Sequence, residues 1–470
     1  MNLNYREKIE AYFAANEKNM IRDIKTLVEI PSTRGEAAEG MPYGPGPLMV
    51  LRRAAEMLEA YGLCVKNWDN RVITGDLTDL ESGLDILAHL DVVPAENNWT
   101  VCPPYEPVLL DGKLYGRGTI DNKGPAIAAL YAMLCVRELG IPLKKNVRLI
   151  LGNDEECGSG DVDYYYTVQP EAPMTYTPDA EFPVVNVEKG RLCGEIDGKF
   201  EASAALPKII SADCGLKTNI IPETATAVIA GMDEAAIAPY FAKAAEETGA
   251  AFTAEAQADG LHILCKGISG HAAFPAGTNN ALTALLHLLA SLPCAESEGF
   301  RQVCALQKLF PHGDYAGKAL GIAQSDEVSG ALTCCADLLH MDETSVYLCF
   351  DCRASVCATE ENTKHVVIRA VEAAGLKMRD VDMILPHYVS GDSEFVQKLL
   401  AAYEAWSGKP GKTLSTGGGT YVHNLKNGVA FGCEMEGITN NMHGADEFIT
   451  IEQLMLSAKI FAQTIIDLCC

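Results

Sequence analysis

Leu84-Asp-Ile-Leu-Ala-His-Leu-Asp91 is a short apolar run that ends in a histidine and an aspartate two residues apart. Residues i and i+2 of a strand point the same way, so His89 and Asp91 leave the strand end together, as a metal ligand and the carboxylate that orients it would. A surface hydrogen-bonded pair is the alternative. The spacing of the acidic residues and the histidine farther along the chain favours the metal. Asp121 stands in Gly116-Arg-Gly-Thr-Ile-Asp-Asn-Lys-Gly-Pro125, Glu155 and Glu156 in Asn153-Asp-Glu-Glu-Cys-Gly-Ser-Gly160, Asp179 after Thr177-Pro, and His443 in Asn440-Asn-Met-His-Gly444. Each lies just beyond an apolar run, where open α/β sheets place their ligands.

Around that stretch, strand and helix patterns alternate. Apolar residues at helical spacing predict helices from Leu3 to about Val28, from Leu48 to Leu58 and from Pro125 to Leu139, with strands near 63–65, 72–75, 84–88 and 147–151. This is the pattern of an α/β domain with a mainly parallel sheet and helices on both faces. Near Glu188 the rhythm changes. Strands near 192–196, 261–265 and 346–352 and helices over 235–247, 280–292 and 360–374 predict an inserted second domain of about two hundred residues, large enough for two small α+β units. The expected division is 1–187 for the first part of the catalytic domain, 188–387 for the lid and 388–470 for the rest of the catalytic domain.

With 470 residues, 48 % of them hydrophobic, the chain is long enough for two cores. Acidic residues outnumber basic ones 63 to 37, for a formal charge of −26. Such a surface repels phosphate backbones and anionic membranes, so neither nucleic acid nor membrane is an expected partner. The first ten residues carry charges where a secretion signal needs an apolar core, and no run of about 18 apolar residues is found after them. A cytoplasmic location is expected. Seventeen cysteines, scattered through apolar stretches, read as reduced side chains, and Cys349 and Cys352 as packing within one strand.

Imidazole and carboxylate together suit ions of the zinc class, and two ions about 3.5–4 Å apart need a bridging carboxylate. Asp121, short and set in a glycine-rich turn, fits that bridge; a helix N-cap is its other reading. Glu155 and Glu156 are neighbours whose side chains diverge, so one can ligate while the other acts as a base toward water. A solvated acidic turn ahead of a helix at 157–166 is the alternative. Arg353 shares a strand face with Asp351, which suits either carboxylate recognition or an internal ion pair.

Taken together, His89-Leu-Asp91, Gly116 to Pro125, Glu155-Glu156, Asp179, Glu188-Lys-Gly190, Ser269-Gly-His271, Phe350-Asp-Cys-Arg353, Gly417-Gly-Gly-Thr420 and His443 resemble the aminoacylase/dipeptidase family of co-catalytic zinc metallopeptidases. Within it, the chain resembles the branch of long-lid, carnosinase-like bacterial Xaa-His-type dipeptidases, which implies that the inserted α+β domain is a lid of two ferredoxin-like halves. The resemblance implies His89 and Asp179 on one ion, Glu156 and His443 on the other, Asp121 bridging, Glu155 as general base toward a metal-bridging water, and Asp91 orienting His89. It implies Asn219, Arg353 and His271, with the Gly418 and Gly419 backbone, holding the substrate carboxylate and the oxyanion. The expected cofactors are two divalent ions, zinc first, with manganese or cobalt as alternatives. The expected substrate is a dipeptide with a free C-terminus, and one expected state is a monomer whose lid halves stand in for a dimer interface. Asn122, His423, Glu434 and Asp446 depart from the family pattern and point to altered substrate preference. The rival functions are deacylation of N-acyl amino acids and non-catalytic peptide binding, the second opposed by Glu155.

Overall fold

The computed structural model describes residues 5–96 and 98–470. The chain forms two compact units, one from Met1–Val187, Tyr388–Ser415 and Gly419–Cys470, the other from Glu188–His387 and Thr416–Gly418. Thr416–Gly418, expected in the first, groups with the second.

The first unit is built on a mixed sheet in which Asn146–Gly152, Ser82–His89, Thr175–Thr177 and Gly428–Ala430 run parallel. Cys64–Trp68 and Val72–Asp76 add to one side and Val184–Glu188 to the other, all antiparallel. The α/β expectation holds, with its parallel strands in the centre of the sheet. Ser82–His89 is buried along nearly all its length because both faces are covered, and apolar residues fill most of its centre, with Asp85 the exception. The Lys123–Glu138 helix, rich in Ala and Leu, is buried on every side between Arg6–Val28 and Ile451–Cys469. Gly124 lets its first turn close, since a Cβ there would sit 2.0 Å from the Thr119 carbonyl oxygen.

The parallel strands in register, with His89 opposite Gly152, bring their C-terminal ends to one rim. From that rim emerge His89, the 153–156 loop and Asp179. The helix expected at 157–166 is instead a 3₁₀ turn, Glu155–Cys157, followed by Gly160–Val168. Gly158 and Ser159, at φ 109° and 60°, break the chain between them.

The second unit is built on an eight-stranded antiparallel sheet. Its order is Ala251–Gln257, Gly260–Lys266, Thr224–Ala230, Lys208–Cys214, Thr333–Met341, Ser345–Ala354, Gly190–Lys199 and Lys377–Ile384. Buried and half-buried residues alternate along Gly190–Lys199, as on a sheet with one packed face. Ala281–Ser291 and Glu298–Leu309 contribute Leu285, Leu289, Val303 and Leu306 to that core. All seventeen cysteines are free. Among the described residues no helix is long and apolar enough to cross a membrane.

Candidate metal centre

In the first unit, five residues widely separated in sequence converge. His89, Asp121 and Asp179 bring ligand atoms within 4.8 Å of one another, and so do Asp121, Glu156 and His443. Asp121 belongs to both triads. Its Oδ1 lies 2.9 Å from His89 Nε2 and its Oδ2 2.8 Å from His443 Nε2, so the two carboxylate oxygens face different imidazoles. Asp179 Oδ2 lies 3.5 Å from His89 Nε2, and Glu156 Oε1 3.2 Å from His443 Nε2. Asp121 does not cap the following helix. Asn122 holds the cap position, without a side-chain cap bond.

Neighbouring groups fix these side chains. His89 Nδ1 lies 3.0 Å from the Asp91 carbonyl oxygen and 3.3 Å from its carboxylate, which leaves Nε2 for the triad. The Asp91 carboxylate also accepts from the backbone N–H groups of Glu155 and Glu156, at 3.2 and 3.1 Å, and so ties the histidine strand to the glutamate loop. Beneath that loop, buried Asp161 accepts from the N–H groups of Asn153 and Asp154 and from the Tyr421 hydroxyl. Tyr421 also sets its ring edge-on to His89, with centroids 6.2 Å apart. The acidic loop is therefore a held element, with Asp154 buried, rather than a solvated turn. Asn122 donates to Asp179 Oδ1 at 2.9 Å, which an aspartate at that position could not do. Asp446 accepts from Thr100 and Val101 and so anchors a loop.

Electrostatics mark the centre as an acid cluster short of positive charge. Burial, opposed by the charge of His89 and reinforced by Asp179, Glu156 and Asp121, pushes the Glu155 carboxyl well above the usual range. Glu156 is raised by burial and by Asp121, and Asp179 by burial, with His89 opposing. Burial, then Asp179 and Asp121, push Glu434 up to about 7. Burial works against ionisation of Asp121 too, yet hydrogen bonds from His443 and His89 hold its carboxyl well below the usual range. Hydrogen bonds to Asp121 and Glu156 raise His443 to about 10. Two imidazoles and several carboxylates, mostly buried and converging, are a donor set for divalent cations of the zinc class. The residues present fit that role.

In the second unit, Arg353 Nε donates to Asp351 Oδ1 at 2.8 Å and its Nη1 to the Gly417 carbonyl at 2.6 Å. The internal ion pair is therefore present. Arg191 also donates to Asp351, so two guanidiniums share one carboxylate. The Asn219 N–H donates to buried Asp337 at 3.1 Å, and the Asn219 carbonyl accepts from Ala272, beside His271. His271 Nδ1 accepts from the Ala273 N–H at 3.0 Å, and burial and the Arg353 charge lower its pKa. Asn219, His271 and Arg353 thus belong to one neighbourhood. Gly418 and Gly419 lie exposed in the bend after Thr413–Thr416.

The sequence profile of peptidase family M20/M25/M40 matches residues 86–467, which contain every residue of both triads. The chain belongs to this family. Membership in M20/M25/M40 makes it a metallopeptidase. Among its M20 relatives it is 34 % identical over 462 residues to a putative dipeptidase of Bacillus subtilis, YtjP, covering 96 % of this chain and 97 % of that one. It is 30 % identical over 479 aligned residues to a beta-Ala-Xaa dipeptidase of Lactobacillus delbrueckii, covering 100 % and 99 %. The fold is similar to that of human carnosine dipeptidase 1, with a TM-score of 0.59 at 15 % identity over 99 % and 98 % of the two chains.

Arg117, Glu447, Asp161 and Tyr421 support the centre but were not singled out from sequence. Their one signal was proximity to the motifs: Arg117 lies inside the Gly116 to Pro125 turn, and Glu447 follows His443 by four positions.

Proposed function

We propose that this chain is a dipeptidase that hydrolyses dipeptides with a free C-terminal carboxylate. The observation that supports this most is the sharing of Asp121 between two triads, which suits a pair of neighbouring divalent cations. His89 and Asp179 would hold one, Glu156 and His443 the other, and Asp121 both, with zinc the first choice and manganese or cobalt the alternatives. Such a pair polarises a scissile carbonyl and lowers the pKa of water. Glu155, outside both triads, takes the proton from the attacking water and returns it to the leaving amine. Asp91 keeps His89 oriented and the glutamate loop in place.

Arg353 and Asn219 read the substrate carboxylate, His271 donates to the developing oxyanion, and the Gly418 and Gly419 backbone assists. A charge read one residue beyond the scissile bond admits a dipeptide and leaves a longer peptide's next amide facing cationic donors it cannot satisfy. The names of the two relatives, both dipeptidases, agree with this reading. A cytoplasmic location belongs to the same reading, and the seventeen free cysteines support it.

The test is turnover by the metal-stripped chain, with zinc, manganese or cobalt added, on three substrates: a dipeptide, its C-terminal amide and an N-acetyl amino acid. The dipeptide should be cut far faster than the other two, and Arg353→Ala should narrow the gap by slowing only the free acid. Equal rates on acid and amide contradict carboxylate reading, and a preference for the N-acetyl substrate makes the chain a deacylase.

A further inference from the structure

The turn that carries Asp121 is held by a buried ion pair that belongs to neither triad. Glu447 is 0 % exposed and Arg117 2 %. Arg117 Nη1 donates to Glu447 Oε2 at 2.6 Å, while its Nη2 donates to the His443 carbonyl at 3.1 Å and reaches that of Pro94 at 3.5 Å. The other carboxylate oxygen, Glu447 Oε1, accepts from three backbone N–H groups: Gly118 at 2.9 Å, Ile120 at 3.1 Å and Asp121 at 3.3 Å. The Glu447 carbonyl closes the arrangement by accepting from Gly116 at 3.0 Å. One carboxylate therefore gathers the turn of the shared ligand, and one guanidinium reaches from that carboxylate to the backbone of His443.

A buried ion pair is a poor source of net stability, because desolvating two charges offsets most of their attraction. Its geometry is the more informative feature. His443 and Asp446 adopt left-handed backbone, at φ 60° and 55°, which non-glycine residues keep only where the surroundings impose it. Arg117 supplies such a constraint on the first of them. We infer that Arg117 and Glu447 are positioning residues of the metal centre: together they set the separation between Asp121 and His443, and with it the geometry of the triad that contains both. This rests on the two-cation reading above.

The full chain, stripped of metal, is titrated with zinc alone against a competing chelator, and its thermal unfolding is recorded in parallel. The unmodified chain should take up two equivalents. Arg117→Lys can still pair with Glu447 but cannot fork to the His443 carbonyl, so one equivalent should weaken by about 10- to 100-fold while the other keeps its affinity. Glu447→Gln keeps the shape but turns an amide nitrogen toward the guanidinium and loosens the Asp121 turn, so both equivalents should weaken. Variants that unfold at lower temperature yet bind both equivalents with unmodified affinity overturn the inference and make the pair purely structural. If Glu447→Gln does not fold, Arg117→Lys decides alone. An unmodified chain that binds no zinc overturns the two-cation reading and this inference with it, whereas two equivalents bound with unmodified affinity by both variants overturn this inference only.

Discussion

Asp91 and Glu155 show how much a single residue's role depends on what it faces. Asp91 lies beside His89 Nδ1 and accepts from the N–H groups of both glutamates, so it is fully engaged as a support. Glu155 belongs to neither triad, whereas Glu156 shares a triad with His443. Glu155→Gln should therefore bind both cations with unchanged affinity and lose turnover by roughly 10²- to 10⁴-fold, the range for general acid–base groups. Glu156→Gln should weaken one cation. Metal analysis beside single-turnover rates separates the two, and loss of metal from Glu155→Gln alone would reverse the assignment. At this scale His89 and Asp91 stand out in sequence because they close an apolar run, and the other members of the two triads stand out through the motifs that hold them. The deeper supports do not: Asp161 sits within Ser-Gly-Asp-Val, and nothing in that local sequence says that its carboxylate points inward to the loop eight residues back. Asn122 looked like a departure, and only its bond to Asp179 shows what the amide does.

The elements divide in the same way. Ser82–His89 and Asn146–Gly152 are apolar along most of their length because both faces are covered, and such runs are visible in sequence. Lys377–Ile384 and Ala251–Gln257 are edge strands with few buried residues, and their charged or alanine-rich sequences give little strand signal. The break between Glu155–Cys157 and Gly160–Val168 was missed because Ser159 adopts left-handed backbone that its side chain does not advertise. One buried strand residue carries a pH prediction. Asp85 is pushed up to about 6, mainly by burial, with Arg148 and a bond from Ser82 opposing. Its folded pKa thus lies above its unfolded value of about 3.9. The proton is held more tightly in the folded state, so this contribution is full below pH ~4 and is lost as pH rises through about 6. Asp85→Asn should stabilise the first unit at pH 8 by roughly 2–3 kcal/mol at most and have little effect at pH 4. Urea unfolding at both values checks this, and an equal effect at both contradicts it.

For the whole molecule, the change of rhythm near Glu188 falls where the second compact unit begins, whereas the grouping of Thr416–Gly418 with that unit has no signal in sequence, since three residues leave no pattern. The inserted unit forms an eight-stranded sheet within one chain, and on that basis the protein should be a monomer. Light scattering should return the mass of one chain, and twice that mass contradicts the expectation. An aspartate that serves two cations fixes a metal stoichiometry that can be measured. The unmodified chain should bind two zinc ions, Asp179→Ala should keep the one shared by Glu156 and His443, and Asp121→Ala should lose both along with essentially all turnover. An Asp121→Ala chain that still holds two ions and turns over normally would show that Asp121 does not serve both.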